Sequence, residues 1–99
     1  MVVVAGVMVL RAGTFEELKP AMLAMLAASR AEAGCRTYSY GVDVEDPSVI
    51  RVYEEWESRE HFAAHVETTH FKEWRRRVGE VGIERRDIKA FEAGAEVPF

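Results

Sequence analysis

The apolar residues of this chain follow two rhythms, one of period two and one near 3.6, which succeed each other along its length. Val2–Leu10 is a run rich in β-branched residues that closes on Arg11-Ala12-Gly13, and this predicts a strand followed by a turn. Thr14 with Glu17 three residues on has the spacing of a capping box, opening a helix that runs to about Ala33. Its apolar stripe collects Phe15, Leu18, Met22, Met25, Leu26 and Ala33; Pro20 is expected to kink it early or to mark where the regular helix starts, and Gly34 to close it in a left-handed conformation. Cys35–Val44 reads as a second strand, Asp43–Ser48 supplies turn chemistry, and Val49–Glu57 returns as a third. Ser58 then caps a second helical segment. Within it Phe62 and Val66 share one face, whereas Phe71, Trp74 and Val78 lie about a third of a turn away. One straight helix cannot bury both sets, so a break is expected near Thr68-Thr69. Gly79 and Gly82 are expected to end the helical part, Ile83–Phe91 to form a fourth strand, and the last residues to be a loose or partner-contacting tail.

The order β-α-β-β-α-β defines a ferredoxin-like α+β fold with a four-stranded antiparallel sheet. Its helices cover one face of the sheet. Yet the first strand is apolar at both parities, with Val3, Ala5, Val7 and Val9 on one side and Val2, Val4, Met8 and Leu10 on the other. A strand apolar on two sides implies cover on two sides, and the simplest second cover is another copy of the same sheet. A homodimer through the sheet face is therefore expected.

Composition narrows the rest. Ninety-nine residues make one domain spanning 1–99, and a domain this short gains from burial through association. A net charge of −4 argues against nucleic acid as a partner. The apolar opening is about ten residues long against the ~20 needed to span a bilayer, and it lacks a basic leader, so neither a membrane nor a secretory role is expected. Cys35 is the only cysteine; no internal disulfide is possible, which fits a cytoplasmic protein.

The stretch Tyr53-Glu54-Glu55-Trp56-Glu57-Ser58, then His61, Ala64-His65, Thr68 and His70, is similar to the antibiotic biosynthesis monooxygenase family, above all to its quinol-monooxygenase-like branch. Arg30–Cys35 leading to Tyr38, and Asp46-Pro47, fit the same pattern. The resemblance implies a dimeric α+β barrel with a pocket between sheet and helices. It also implies oxidation of a small phenolic or hydroquinone substrate by molecular oxygen, without metal, flavin or other cofactor. Relatives degrade haem or isomerise small phosphorylated molecules, so fold membership does not by itself fix the reaction. The haem-degrading pattern is not met: Val7, His65 and Arg75 stand where it has asparagine, tryptophan and histidine.

Three residues are the candidate catalytic groups. His65 lies at the rim of the Phe62/Val66 stripe, where an imidazole can take a phenolic proton near neutral pH. Glu54 shares a strand face with Ile50, Val52 and Trp56; a carboxylate in such poor solvent needs a partner or has a raised pKa, and it could orient His65. Tyr38 can donate a hydrogen bond to a phenolate. Substrate contacts are expected from Trp56, Tyr40, Phe62, Met22, Met25 and His70. His61 and His65 have a chelating i,i+4 spacing, but His70 follows the expected break and no third ligand is evident, so no metal site is assigned. His61 is expected to face solvent. Arg75-Arg76-Arg77 and Arg85-Arg86, interspersed with glutamates, read as a solvated ion-paired face; an arginine in the pocket would instead favour an isomerase-type acid–base enzyme on a phosphorylated carbonyl compound. A non-catalytic dimeric ligand-binding protein, its pocket filled by its own side chains, is the remaining alternative.

Overall fold

A computed structural model describes all residues, 1–99. Its elements are β1 (Val2–Leu10), α1 (Phe15–Arg30), β2 (Cys35–Val42), β3 (Val49–Trp56), α2 (Arg59–Val66), α3 (Thr69–Val81) and β4 (Ile83–Glu92). The strands form one antiparallel sheet in the order β2-β3-β1-β4. This is the expected ferredoxin-like α+β fold, with the second helical segment in two pieces.

The break occurs where the two apolar stripes demand it. Thr68 builds the corner: its hydroxyl donates to the His65 carbonyl at 2.7 Å and accepts the Phe71 N–H at 3.3 Å, capping α3. Turning the chain there buries Phe71, Trp74 and Val78. On α2 the outcome differs from the expectation, because Phe62 and Val66 are only half-buried and His65 is the residue sealed in.

Several local details differ too. Thr14 precedes α1 but makes no side-chain cap; its hydroxyl donates to the Arg11 carbonyl instead. The helix runs unbroken through Pro20 and ends at Arg30, and Gly34 takes a φ of +80° in the turn that follows. Gly79 lies within α3, so Gly82 alone ends it. β2 stops at Val42, since Asp43 turns to accept the backbone N–H groups of Glu45 and Asp46.

On β1 the even positions Val2, Val4, Met8 and Leu10 are buried beneath the helices. The odd positions Val3, Ala5, Val7 and Val9 are half-buried on the open face, with the exposed rings of Tyr53 and Phe91 beside them. α1 packs on β2 and α3, and α2 on β3. That placement leaves the inner face of β4 uncovered and opens a cleft along it.

Candidate active site

The inner face of the sheet carries a row in which Tyr38 (β2), Glu54 (β3), Val4 (β1) and Ala90 (β4) are cross-strand neighbours. Glu54 thus sits between Tyr38 and Val4, one strand in from β4, and alternation along β3 places Trp56 beside it. The Trp56 indole N–H donates to Glu54 Oε1 at 2.9 Å. Glu54 is 4% exposed. Burial raises its pKa to about 7, against the opposing pull of the Trp56 hydrogen bond, of the nearby Tyr38 hydroxyl and of the Arg86 charge.

α2 delivers His65 above this row. Ser58 caps the helix, its oxygen accepting the His61 N–H at 3.2 Å. The His65 ring is fully enclosed, stacked obliquely on Trp56 with centroids 4.6 Å apart and flanked by Tyr38 and Phe71. Burial lowers its pKa, outweighing the opposite effect of Glu32, so the ring is neutral at neutral pH. A carboxylate only accepts, so Nδ1–H donates to Glu32 Oε2 at 2.7 Å, which leaves Nε2 to accept the Tyr38 hydroxyl at 3.2 Å. Glu32 Oε2 also accepts from His70 Nε2 at 2.7 Å.

The carboxylate that orients His65 is therefore Glu32, not Glu54. Glu32 lies in the turn after α1, within the Arg30–Cys35 segment to which the sequence alone assigns no chemical role. One signal was available: an acid just past a helix C-terminus opposes the macrodipole and calls for another partner.

Two adjoining cavities of about 240 and 200 Å³ make up the cleft. Glu54, His65 and Phe62 line the first, Met8, Trp74 and Val78 the second, and Tyr40, Phe71, Arg75, Arg86 and Ile88 line both. Of the sequence-derived candidates, Glu54, His65, Tyr40 and Phe62 thus face one space. Tyr38 and Trp56 stand behind them, almost fully enclosed. Tyr40 has its pKa pushed up to about 12 by burial, and that of Tyr38 is raised by the same cause. Met22 and Met25 are core residues under α1 and line other hollows, and His70 lies outside the cleft beside Met25 and Trp74. His61 is half-buried rather than solvent-facing, with its ring over Gly34 and Nδ1 2.7 Å from the Ser58 hydroxyl. Arg76 and Arg77 pair with glutamates as expected; Arg75 and Arg86 make no ion pair and border the cleft.

An α+β sheet roofed on one side, with an ionisable pair set over an aromatic cleft, defines the structural class. The sequence pattern of the antibiotic biosynthesis monooxygenase family matches residues 1–77, and the chain belongs to that family. A Deinococcus radiodurans protein provisionally named an antibiotic biosynthesis monooxygenase shares the fold with a TM-score of 0.92 at 21% identity, over 100% of this chain and 98% of that one. A Nitrosomonas europaea protein of the same provisional name gives 0.86 at 26%, over 94% and 98%. A Mycobacterium tuberculosis protein gives 0.85 at 24%, over 98% of each chain. No protein of curated function matches the sequence. No helix of the chain is long and apolar enough to cross a membrane.

Proposed function

We propose that the protein is a monooxygenase that oxidises a small phenol or hydroquinone with molecular oxygen, as a homodimer joined through the open sheet face. The observation that carries this reading is Glu54, a buried carboxylate poised to exchange a proton near neutral pH, at the wall of a cleft lined by Tyr40, Phe62 and Phe71. Family membership and the names of the structural relatives support monooxygenation as the reaction class.

The aromatic walls hold a flat ring, and Glu54 takes a proton from its hydroxyl. Both nitrogens of His65 are engaged, so its part is to hold the Tyr38 hydroxyl beside that carboxyl. The resulting anion is electron-rich enough to reduce oxygen. For a hydroquinone, one oxygen atom enters the ring and the other leaves as water, giving a hydroxyquinone; the substrate supplies the electrons. The chain contributes desolvation and orientation.

The test is oxygen uptake by chelator-treated protein with a panel of hydroquinones. Uptake above the autoxidation rate, abolished in Glu54→Gln and reduced in His65→Ala, is expected. Uptake equal to buffer for the whole panel, or unaffected by both substitutions, overturns the proposal.

One observation favours a second reading. Arg75 and Arg86 border the cleft without a carboxylate partner, as an acid–base enzyme on an anionic carbonyl compound requires. Proton exchange from such a compound into deuterated water, without oxygen uptake, would select it.

A further inference from the structure

We propose that Glu32, His65 and His70 form a binding site for a divalent transition ion of the zinc type, on the Nδ1 side of the His65 ring; it shares that ring with the cleft, but the oxidation proposed above does not require the ion. The donors Glu32 Oε2, His65 Nδ1 and His70 Nε2 lie within 4.8 Å of one another. They arrive from three places in the chain: the turn after α1, the last turn of α2 and the first turn of α3. The Thr68 corner brings the two histidines together, and each points a nitrogen at the same carboxylate oxygen. At metal–ligand distances of about 2.0–2.2 Å, tetrahedral donors stand roughly 3.4 Å apart, so loading needs side-chain shifts of about an ångström.

Two imidazoles and one carboxylate suit zinc, cobalt(II) or a similar late first-row ion, with a fourth position open to water. The entry path is on the solvent side: the His70 and Glu32 side chains are 29% and 13% exposed, whereas His65 is 1% exposed.

The hydrogen-bonding partner of the inner nitrogen makes the change of state inexpensive. Without metal, His65 carries its proton on Nδ1 and accepts from Tyr38. With metal on Nδ1, the proton moves to Nε2, and the Tyr38 hydroxyl switches from donor to acceptor. The hydroxyl proton then turns to Glu54, its cross-strand neighbour. A phenylalanine at this position could not do this.

The experiment is calorimetric titration of the chelator-stripped full chain with Zn²⁺, and the visible spectrum of the Co²⁺ form. One ion per chain and cobalt bands of tetrahedral intensity are expected. Glu32→Gln and His70→Ala should each weaken binding by more than about tenfold, and Tyr38→Phe by about tenfold. His70 is partly exposed, so its variant keeps the fold, which circular dichroism verifies. His61→Ala should bind as the parent does, because His61 is engaged with Ser58. No 1:1 uptake by the parent chain overturns the proposal, as does zinc affinity unchanged in both Glu32→Gln and His70→Ala. Either result leaves the oxygen-uptake assay standing, because binding is read directly and that assay uses stripped protein.

Discussion

The indole N–H of Trp56 and the carboxylate of Glu54 meet at 2.9 Å, two residues apart on one strand and on its helix-covered face. The bond favours an ionised carboxyl, while enclosure among aromatic and aliphatic groups disfavours it. Enclosure is the larger effect, and the balance falls at about 7. A group so balanced can change its charge near neutral pH, where a proton acceptor is most useful.

If Glu54 takes the substrate proton, kcat/KM should rise with pH through about 7 and level off above it, because only the ionised carboxyl accepts. Glu54→Gln keeps an acceptor for Trp56 and removes the base, so kcat should fall by about a hundredfold or more with the fold intact. Steady-state oxygen uptake across this pH range checks both. A flat profile, or a Gln variant as fast as the parent, would remove Glu54 from the reaction.

The same carboxyl should leave its mark on stability. Its folded pKa of about 7 lies above the ordinary 4.5, so between those values the folded chain holds a proton that the unfolded chain has lost. Stability from this group is complete below the unfolded value and lost as pH rises to the folded one. The loss is on the order of 3 kcal/mol, and Glu54→Gln should recover it above pH 7. Urea titrations of both proteins on either side of that window test the sign. A parent chain that gains stability over this window relative to the variant would contradict it.

How much of this was legible in the sequence depends on whether a signal is local. The α2–α3 break followed from the phase of Phe62 and Val66 against Phe71, Trp74 and Val78, since helical phase is a local property. Glu54 beside Trp56 followed from strand parity for the same reason. Glu32 did not, because its two partners stand 33 and 38 residues away and only tertiary packing joins them. The placing of His65 at a rim failed similarly. Burying a ring with two polar atoms requires two partners, and neither Glu32 nor Tyr38 is near it in sequence. The cleft arises from which strand the helices leave bare, and no periodicity records that.

Gly34 separates two costs that usually arrive together. Its φ is +80° and a Cβ there would stand 2.2 Å from the His61 ring, whereas Gly13, at φ +79°, has nothing within 4 Å of the same added atom. Gly13→Ala should cost about 1 kcal/mol, from backbone strain alone. Gly34→Ala should cost about 2–4 kcal/mol, because the His61 ring must also move. Thermal unfolding of the two variants gives the comparison. Equal losses would mean that His61 yields its place freely.

The open sheet face yields a prediction about assembly. Val3, Ala5, Val7 and Val9 make an apolar stripe along a central strand, with Tyr53 and Phe91 exposed beside it. A second copy laid on this face would bury that stripe, and a two-fold axis near the middle of β1 would bring like against like. Ala5 sits between Tyr53 and Lys89 near the centre of β1. A lysine there would project into solvent in a single chain and cost it little, since it leaves the core on the other face untouched. In a dimer the same lysine would be buried against apolar partners and repel its symmetry mate. Sedimentation equilibrium at micromolar concentration should therefore show the parent as a dimer and Ala5→Lys as a folded monomer. A parent that sediments as a stable single chain would mean the stripe is left to water, and the proposed pairing through this face would fail.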